Sequence, residues 1–176
     1  MYHELKQYDK AFADVSSVIK LKPDDAKAYN HRGDVYCHQK QYDKGIQDYS
    51  KAIELKPDYS VIYLDIMEIC IITAKPVLFG KWLKQLETAI PEAKLSKSDL
   101  IIKLYLVCVV KCVLNQPRTE IETRLDALLK EKVELEWSFD LTDEWLNNPK
   151  NGLTPEQIKY IRNLTDKVKA SQKNVK

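Results

Sequence analysis

Lys6-Gln-Tyr-Asp-Lys-Ala-Phe-Ala-Asp-Val-Ser-Ser-Val-Ile-Lys-Leu-Lys-Pro-Asp24 returns as Lys40-Gln-Tyr-Asp-Lys-Gly-Ile-Gln-Asp-Tyr-Ser-Lys-Ala-Ile-Glu-Leu-Lys-Pro-Asp58, with twelve of nineteen positions identical at an offset of 34 residues. Pro91 falls 34 beyond Pro57, as Pro57 does beyond Pro23. Self-similarity at a fixed period of this length signals stacked supersecondary units, each sheltering an apolar face against the next. In the second copy Tyr42, Ile46, Tyr49 and Ile53 step by 4, 3 and 4, which lines one helical face. Small residues at Gly33, Gly45 and Ala52 let neighbouring helices come close. Pro57 cannot continue the preceding helix, and Asp58 is suited to cap the following one.

The residues between the matches point to the unit. Tyr29-x-x-Arg32-Gly33-x-x-Tyr36, then Gly45-x-x-x-Tyr49-x-x-Ala52, then Pro57 resembles the tetratricopeptide repeat, a helix–turn–helix of 34 residues. Arg32, where the family usually has Leu, and Gly45, where it usually has Ala, depart from the pattern. The resemblance implies an all-α fold: a right-handed superhelical solenoid of antiparallel helix hairpins, closed here by a C-terminal capping helix.

Along the chain the expected organisation is tetratricopeptide-like repeats over residues 1–91, a diverged fourth helical hairpin over 92–136, and a helical cap over 137–176. The first repeat is expected to hold only the final turn of its first helix, with Tyr2 matching Tyr36, and then a full second helix from about residue 8 to 21. Such an end suggests a piece of a longer array, or an end that docks on something. The third repeat, with helices over 61–72 and up to Pro91, keeps the period but puts Met67, Phe79 and Leu86 where the family favours small residues. After Pro91, Ser98 or Ser96 is suited to cap a helix at about 99–114. Its many β-branched residues keep a strand reading open. Pro117 opens a helix reading to about Glu134, with Ile121, Leu125, Leu128 and Leu129 on one face. Trp137, Phe139, Leu141 and Trp145 mark a short helical or irregular segment that Thr142 is placed to cap. Thr154-Pro155-Glu156-Gln157 has the form of a capping box, opening a helix to about Ala170 striped by Ile158, Ile161, Leu164 and Val168. Residues 171–176 are expected to fray.

The composition limits the function classes. A net charge of +2 over 176 residues lacks the basic excess expected of a nucleic-acid binder. An RNA-binding helical repeat would further need a basic groove, against which Asp34, Asp65 and Glu68 weigh. The apolar run at 100–114 is too short for a membrane span and carries Lys103 and Lys111. Cys37, Cys70, Cys108 and Cys112 show no disulfide-framework spacing, which favours a reducing compartment, the cytoplasm. His31 and His38 lie two helical turns apart beside Cys37, but this is too few ligands for a metal site. No nucleotide-binding or hydrolase signature occurs, and no cofactor is implied. The Lys and Glu residues of 130–136 read as a solvated helix face.

By the resemblance, the chain is a non-enzymatic scaffold that holds a peptide or helix of another protein in its concave groove. Lys27, Asn30, His31, Arg32 and Asp34 would set polar specificity there, with Val61, Leu64, Glu68 and Ile71 beside them. The family's carboxylate clamp needs Lys, Asn and Arg donors from successive repeats. Arg32 offers one, whereas Asp65 and Glu68 would repel an anion. The helices at 61–72 and 100–114 are apolar on nearly every face and need cover, from the chain's own 155–170 helix or from a partner's amphipathic helix. The alternative function is self-assembly, a homo-oligomer formed through the first repeat or the apolar third repeat.

Overall fold

The computed structural model describes residues 2–135 and 137–172, apart from the side chains of residues 2–6. Among these residues the fold is all-α, as the repeat predicts. There are nine α-helices and a 3₁₀ turn at Glu92–Lys94, and β geometry is limited to an isolated bridge between Val133 and Gln172. The chain divides into two compact units, residues 1–66 and 67–176.

The first unit contains α1 (Tyr2–Leu21), α2 (Ala26–His38), α3 (Tyr42–Leu55) and the first half of α4 (Ser60–Ile72). Here α1 is one continuous helix, which corrects the expected break before Tyr8. Lys-Gln-Tyr-Asp at 6–9 is identical to Lys-Gln-Tyr-Asp at 40–43, yet the first lies inside a helix and the second forms the turn between α2 and α3, with Lys40 at φ 59°. A left-handed non-glycine residue costs about 1–2 kcal/mol. The packed α2–α3 hairpin offsets that cost, and no hairpin does so at Lys6. Asp25 caps α2 by accepting from the Lys27 and Ala28 amides at 3.0 and 3.2 Å.

The closeness of α2 and α3 explains the two glycines. A Cβ added at Gly33 would sit 2.6 Å from the Tyr49 ring, and one at Gly45 would sit 2.6 Å from Cys37 Sγ. Cys37 and Tyr49 fill the space that these glycines leave, and all four residues are buried.

The second unit contains the rest of α4, then α5 (Pro76–Ala89), α6 (Lys97–Val113), α7 (Thr119–Leu129), α8 (Asp140–Asn147) and α9 (Pro155–Ala170). The strand alternative fails at α6. Ser96 caps that helix by accepting from the Asp99 amide at 3.0 Å, and residues 101–110 are buried without interruption. A run covered on all sides has no need of period-two alternation, so tertiary cover decides between its strand and helix propensities. Lys103 is buried within the run and pairs with Glu87 at 2.8 Å and Glu92 at 3.2 Å; Arg124 also reaches Glu92.

Two boundaries differ from expectation. α7 stops at Leu129 instead of running to Glu134: Lys132 Nζ donates to the Ala170 carbonyl at 2.6 Å and Val133 N–H to the Ser171 carbonyl at 3.2 Å. The Lys–Glu stretch is therefore an irregular strap tied to the end of α9, up to Leu135; Glu136 lies outside the described residues. Thr142 does not cap α8. It sits inside that helix, buried, and uses its hydroxyl elsewhere. The start of α9 follows the sequence closely: both hydrogen bonds of the Thr154–Gln157 capping box form. Gln157 Nε2 also donates to the Cys112 and Val113 carbonyls at 3.1 and 3.2 Å, closing the C-terminus of α6. Ser171 is buried, which corrects the expected fraying at that residue, and 173–176 lie outside the described residues.

The first helix of three hairpins ends in the same way. Lys40, Ala74 and Asn115 take φ values of 59°, 55° and 52°. Each sits in a pair of nested bonds: Lys40 N–H to Cys37 O and Gln41 N–H to Tyr36 O, then Ala74 to Ile71 and Lys75 to Cys70, then Asn115 to Cys112 and Gln116 to Lys111. These bonds satisfy carbonyls that a helix end leaves orphaned. The α6–α7 turn thus repeats the geometry of the other two, although its sequence no longer shows the period.

Candidate partner-binding face

The side chains expected to bind a partner fall into three groups. On α2, Lys27 and His31 are exposed and Asp34 is partly so, one turn apart along the helix. Asp34 is held in place: it accepts from the Tyr49 hydroxyl at 2.7 Å, and His31 Nδ1 lies 3.7 Å from its other oxygen. Burial, with the carboxylates of Asp65 and Asp34 nearby, pushes the Tyr49 phenol well above its ordinary range, so it stays a donor. Asn30 lies on the same strip but is buried, and its Oδ1 has no hydrogen-bond partner among the described residues. A buried acceptor left unpaired costs about 1–3 kcal/mol.

Arg32 belongs to a second group. Its Nε and Nη2 donate to the two carboxylate oxygens of Asp48 at 2.6 and 2.7 Å, and the guanidinium lies 5.6 Å from the centre of the Tyr29 ring. The resemblance offered Arg32 as a donor to a partner's carboxylate; instead Asp48 takes up this planar fork. The residue that departs from the family pattern pins α2 to α3.

The third group lies on α4. Val61 is half-buried and Leu64 is buried in the first unit, while Glu68 and Ile71 are buried in the second. Thr142 on α8 donates to Glu68 Oε1 at 2.5 Å. Burial pushes the Glu68 carboxyl up to about 7, the Thr142 bond opposes the rise, and Asp140 and Asp143 add to it. Glu68 is therefore an internal polar contact of the second unit.

In that unit α9 supplies the cover that α6 needs. Ile161, Leu164 and Val168 are buried, Tyr105 of α6 and Thr165 of α9 share a hydrogen bond of 2.8 Å, and Lys167 pairs with Asp126 of α7 at 2.5 Å. In the shallow cleft between α7 and α9 the Tyr160 hydroxyl donates to Glu122 at 2.5 Å.

Sequence reasoning missed the Arg32–Asp48 and Tyr49–Asp34 pairs, each of which joins α2 to α3. A signal was available: Asp48 directly precedes Tyr49 on the apolar face, where a carboxylate needs a cation. Among the described residues no helix is long and apolar enough to cross a membrane.

Compared with known families, residues 26–59 match the tetratricopeptide repeat, covering α2, α3 and the approach to α4. No curated protein matched the chain. The chain thus carries a tetratricopeptide repeat at 26–59, and repeats of this kind generally mediate protein–protein interaction.

Proposed function

We propose that the α2 strip bearing Lys27, His31 and Asp34 receives a peptide or helix of another protein, and that the chain is a non-catalytic scaffold. The observation that carries this reading is the placement of Lys27, His31 and Asp34 one turn apart on α2, the first two exposed and the third held in position by the Tyr49 hydroxyl. Lys27 then chooses among ligands by charge, favouring an acidic flank, and His31 offers a hydrogen-bonding ring beside it. Arg32, already paired with Asp48, serves as support and not as a contact. Leu64, buried in the first unit, and Glu68 and Ile71, buried in the second, are not offered as contacts. The four buried cysteines, none in a disulfide, suit a reducing compartment such as the cytoplasm.

Site-specific photocrosslinking tests this. A photoreactive residue at position 27 or 31 should trap a partner that the same residue at exposed position 51 on α3 does not. Lys27→Glu/His31→Glu should lower capture at least tenfold with the helical circular dichroism unchanged. Equal trapping at all three positions, or capture indifferent to the charge reversal, overturns the reading.

A further inference from the structure

The turn between α8 and α9 holds two asparagines that fold back on their own backbone. Asn148 Oδ1 accepts from the Lys150 amide and Asn151 Oδ1 from the Leu153 amide, each at 2.9 Å. A side chain held in this way keeps its carbonyl carbon beside the backbone nitrogen of the next residue. After Asn148 that nitrogen belongs to Pro149 and carries no hydrogen. After Asn151 it belongs to Gly152.

Gly152 is exposed, takes φ 76° and has nothing within 4 Å of the position a Cβ would occupy. Its N–H makes no hydrogen bond among the described residues, so the nitrogen is free to react. The Leu153 N–H draws electron density from the Asn151 side-chain carbonyl and points at the oxygen where negative charge would develop on attack. Asn151 Nδ2 reaches the Trp145 and Leu146 carbonyls of α8 at 3.3 and 3.5 Å, bonds too long to hold it strongly. The other described asparagines lack this combination. Asn30 and Asn163 lie inside α2 and α9, where the following amide is used by the helix. The amides after Asn115 and Asn147 donate to the Lys111 and Trp145 carbonyls at 2.8 and 3.1 Å.

We propose that Asn151–Gly152 is a self-modification site, at which the turn deamidates without an enzyme and loosens the C-terminal end of α8. The Gly152 nitrogen gives up its proton and bonds to Asn151 Cγ, closing a five-membered imide. Nδ2 leaves as ammonia, carrying that proton. One water then opens the ring at either carbonyl, and no atom is oxidised or reduced. Opening at Cγ leaves aspartate. Opening at the main-chain carbonyl leaves isoaspartate, with the chain running through Cβ and Cγ and so longer by one carbon. Either product removes the two Nδ2 donors and adds a negative charge beside the last carbonyls of α8, the negative end of that helix.

The test incubates the folded full chain at neutral and mildly alkaline pH and follows it by peptide mapping with mass spectrometry. An isoaspartyl methyltransferase with labelled methyl donor counts the isoaspartate. The amide-to-acid mass gain should appear at position 151 at least tenfold faster than at any other described asparagine. It should quicken as pH rises, because the attacking nitrogen must lose its proton, and run at least as fast as in a free peptide of residues 147–157. Asn151→Gln, which would need a six-membered ring, should abolish the isoaspartate signal with the circular dichroism unchanged. Chains modified at 151, separated by ion exchange, should exchange the amide hydrogens of 140–147 at least fivefold faster than unmodified chains. A folded chain that reacts more slowly than the peptide overturns the proposal, because the turn then protects the pair. So does ammonia loss spread evenly over the asparagines, and so does modification at 151 that leaves exchange in α8 unchanged.

Discussion

Thr142 on α8 donates its hydroxyl to Glu68 on α4 at 2.5 Å, across 74 residues of chain, and both side chains are buried. The contact joins the aromatic-rich segment after Leu135 to the apolar helix α4. It extends to Tyr105, whose ring meets Phe139 edge-on and whose hydroxyl bonds Thr165 of α9. A carboxyl in this setting works best as the neutral acid, which both accepts and donates hydrogen bonds.

Stability should therefore depend on pH through Glu68. Its folded pKa of about 7 lies above the ordinary value of 4.5, so between these limits the folded chain holds a proton that the unfolded chain has released. The stabilising contribution is complete below pH 4.5 and is lost as pH rises through 7, a change of roughly 3 kcal/mol at 1.36 kcal/mol per pKa unit. Glu68→Gln, which keeps an acceptor for Thr142, should flatten this part of the profile and stabilise the chain at pH 8 by about 1–3 kcal/mol. Urea denaturation of both proteins at pH 5.5 and pH 8 measures it; an unchanged difference between the two pH values removes Glu68 as the cause.

Two of the helical glycines, Gly33 and Gly80, should respond to alanine with opposite signs. At Gly80 nothing lies within 4 Å of an added Cβ, so Gly80→Ala gains helix propensity, about 1 kcal/mol. At Gly33 the methyl would lie 2.6 Å from a Tyr49 ring that is buried and tied at its hydroxyl to Asp34. Overpacking should outweigh propensity there and cost about 1–3 kcal/mol. Equal stabilisation by both substitutions in thermal denaturation would show that α2 and α3 separate freely.

The features legible in the sequence were those carried by local chemistry or by the period. The proline spacing located α2 to α5, and Thr154 with Gln157 located the first turn of α9, because a repeat and a capping box are written in adjacent residues. Illegible were the features decided by contact at a distance. Lys6 and Lys40 begin the same tetrapeptide and differ in conformation, because only the latter is in a packed hairpin. Lys130 to Glu134 has good helix formers, yet α7 ends before them, since Lys132 and Val133 bond the end of α9 about forty residues away. Glu68, Leu64 and Asn30 stand at helical spacings that suit a ligand-facing strip, but spacing does not reveal which strip the chain itself covers. Glu68 did carry a signal, since one carboxylate in a helix apolar all round calls for a buried donor.

Arg32 and Asp48 test how far the departure from the family pattern matters. Arg32→Leu installs the residue usual for the family and strips a mostly buried carboxylate of both its donors. Breaking a buried pair by removing one partner costs about 3–5 kcal/mol, and the residual exposure of both groups lowers the expectation here to about 2–4 kcal/mol. Asp48→Leu should cost less, since the longer Arg32 side chain can swing its charge toward water. With both changed to leucine the strip becomes apolar, and stability should return to within about 1 kcal/mol of wild type, because a buried ion pair and a well-packed apolar pair are often nearly equivalent. The double-mutant cycle, measured by urea denaturation, should then give an interaction free energy above about 1.5 kcal/mol. A loss below about 0.5 kcal/mol for Arg32→Leu alone would mean that the pair orients α2 without stabilising it.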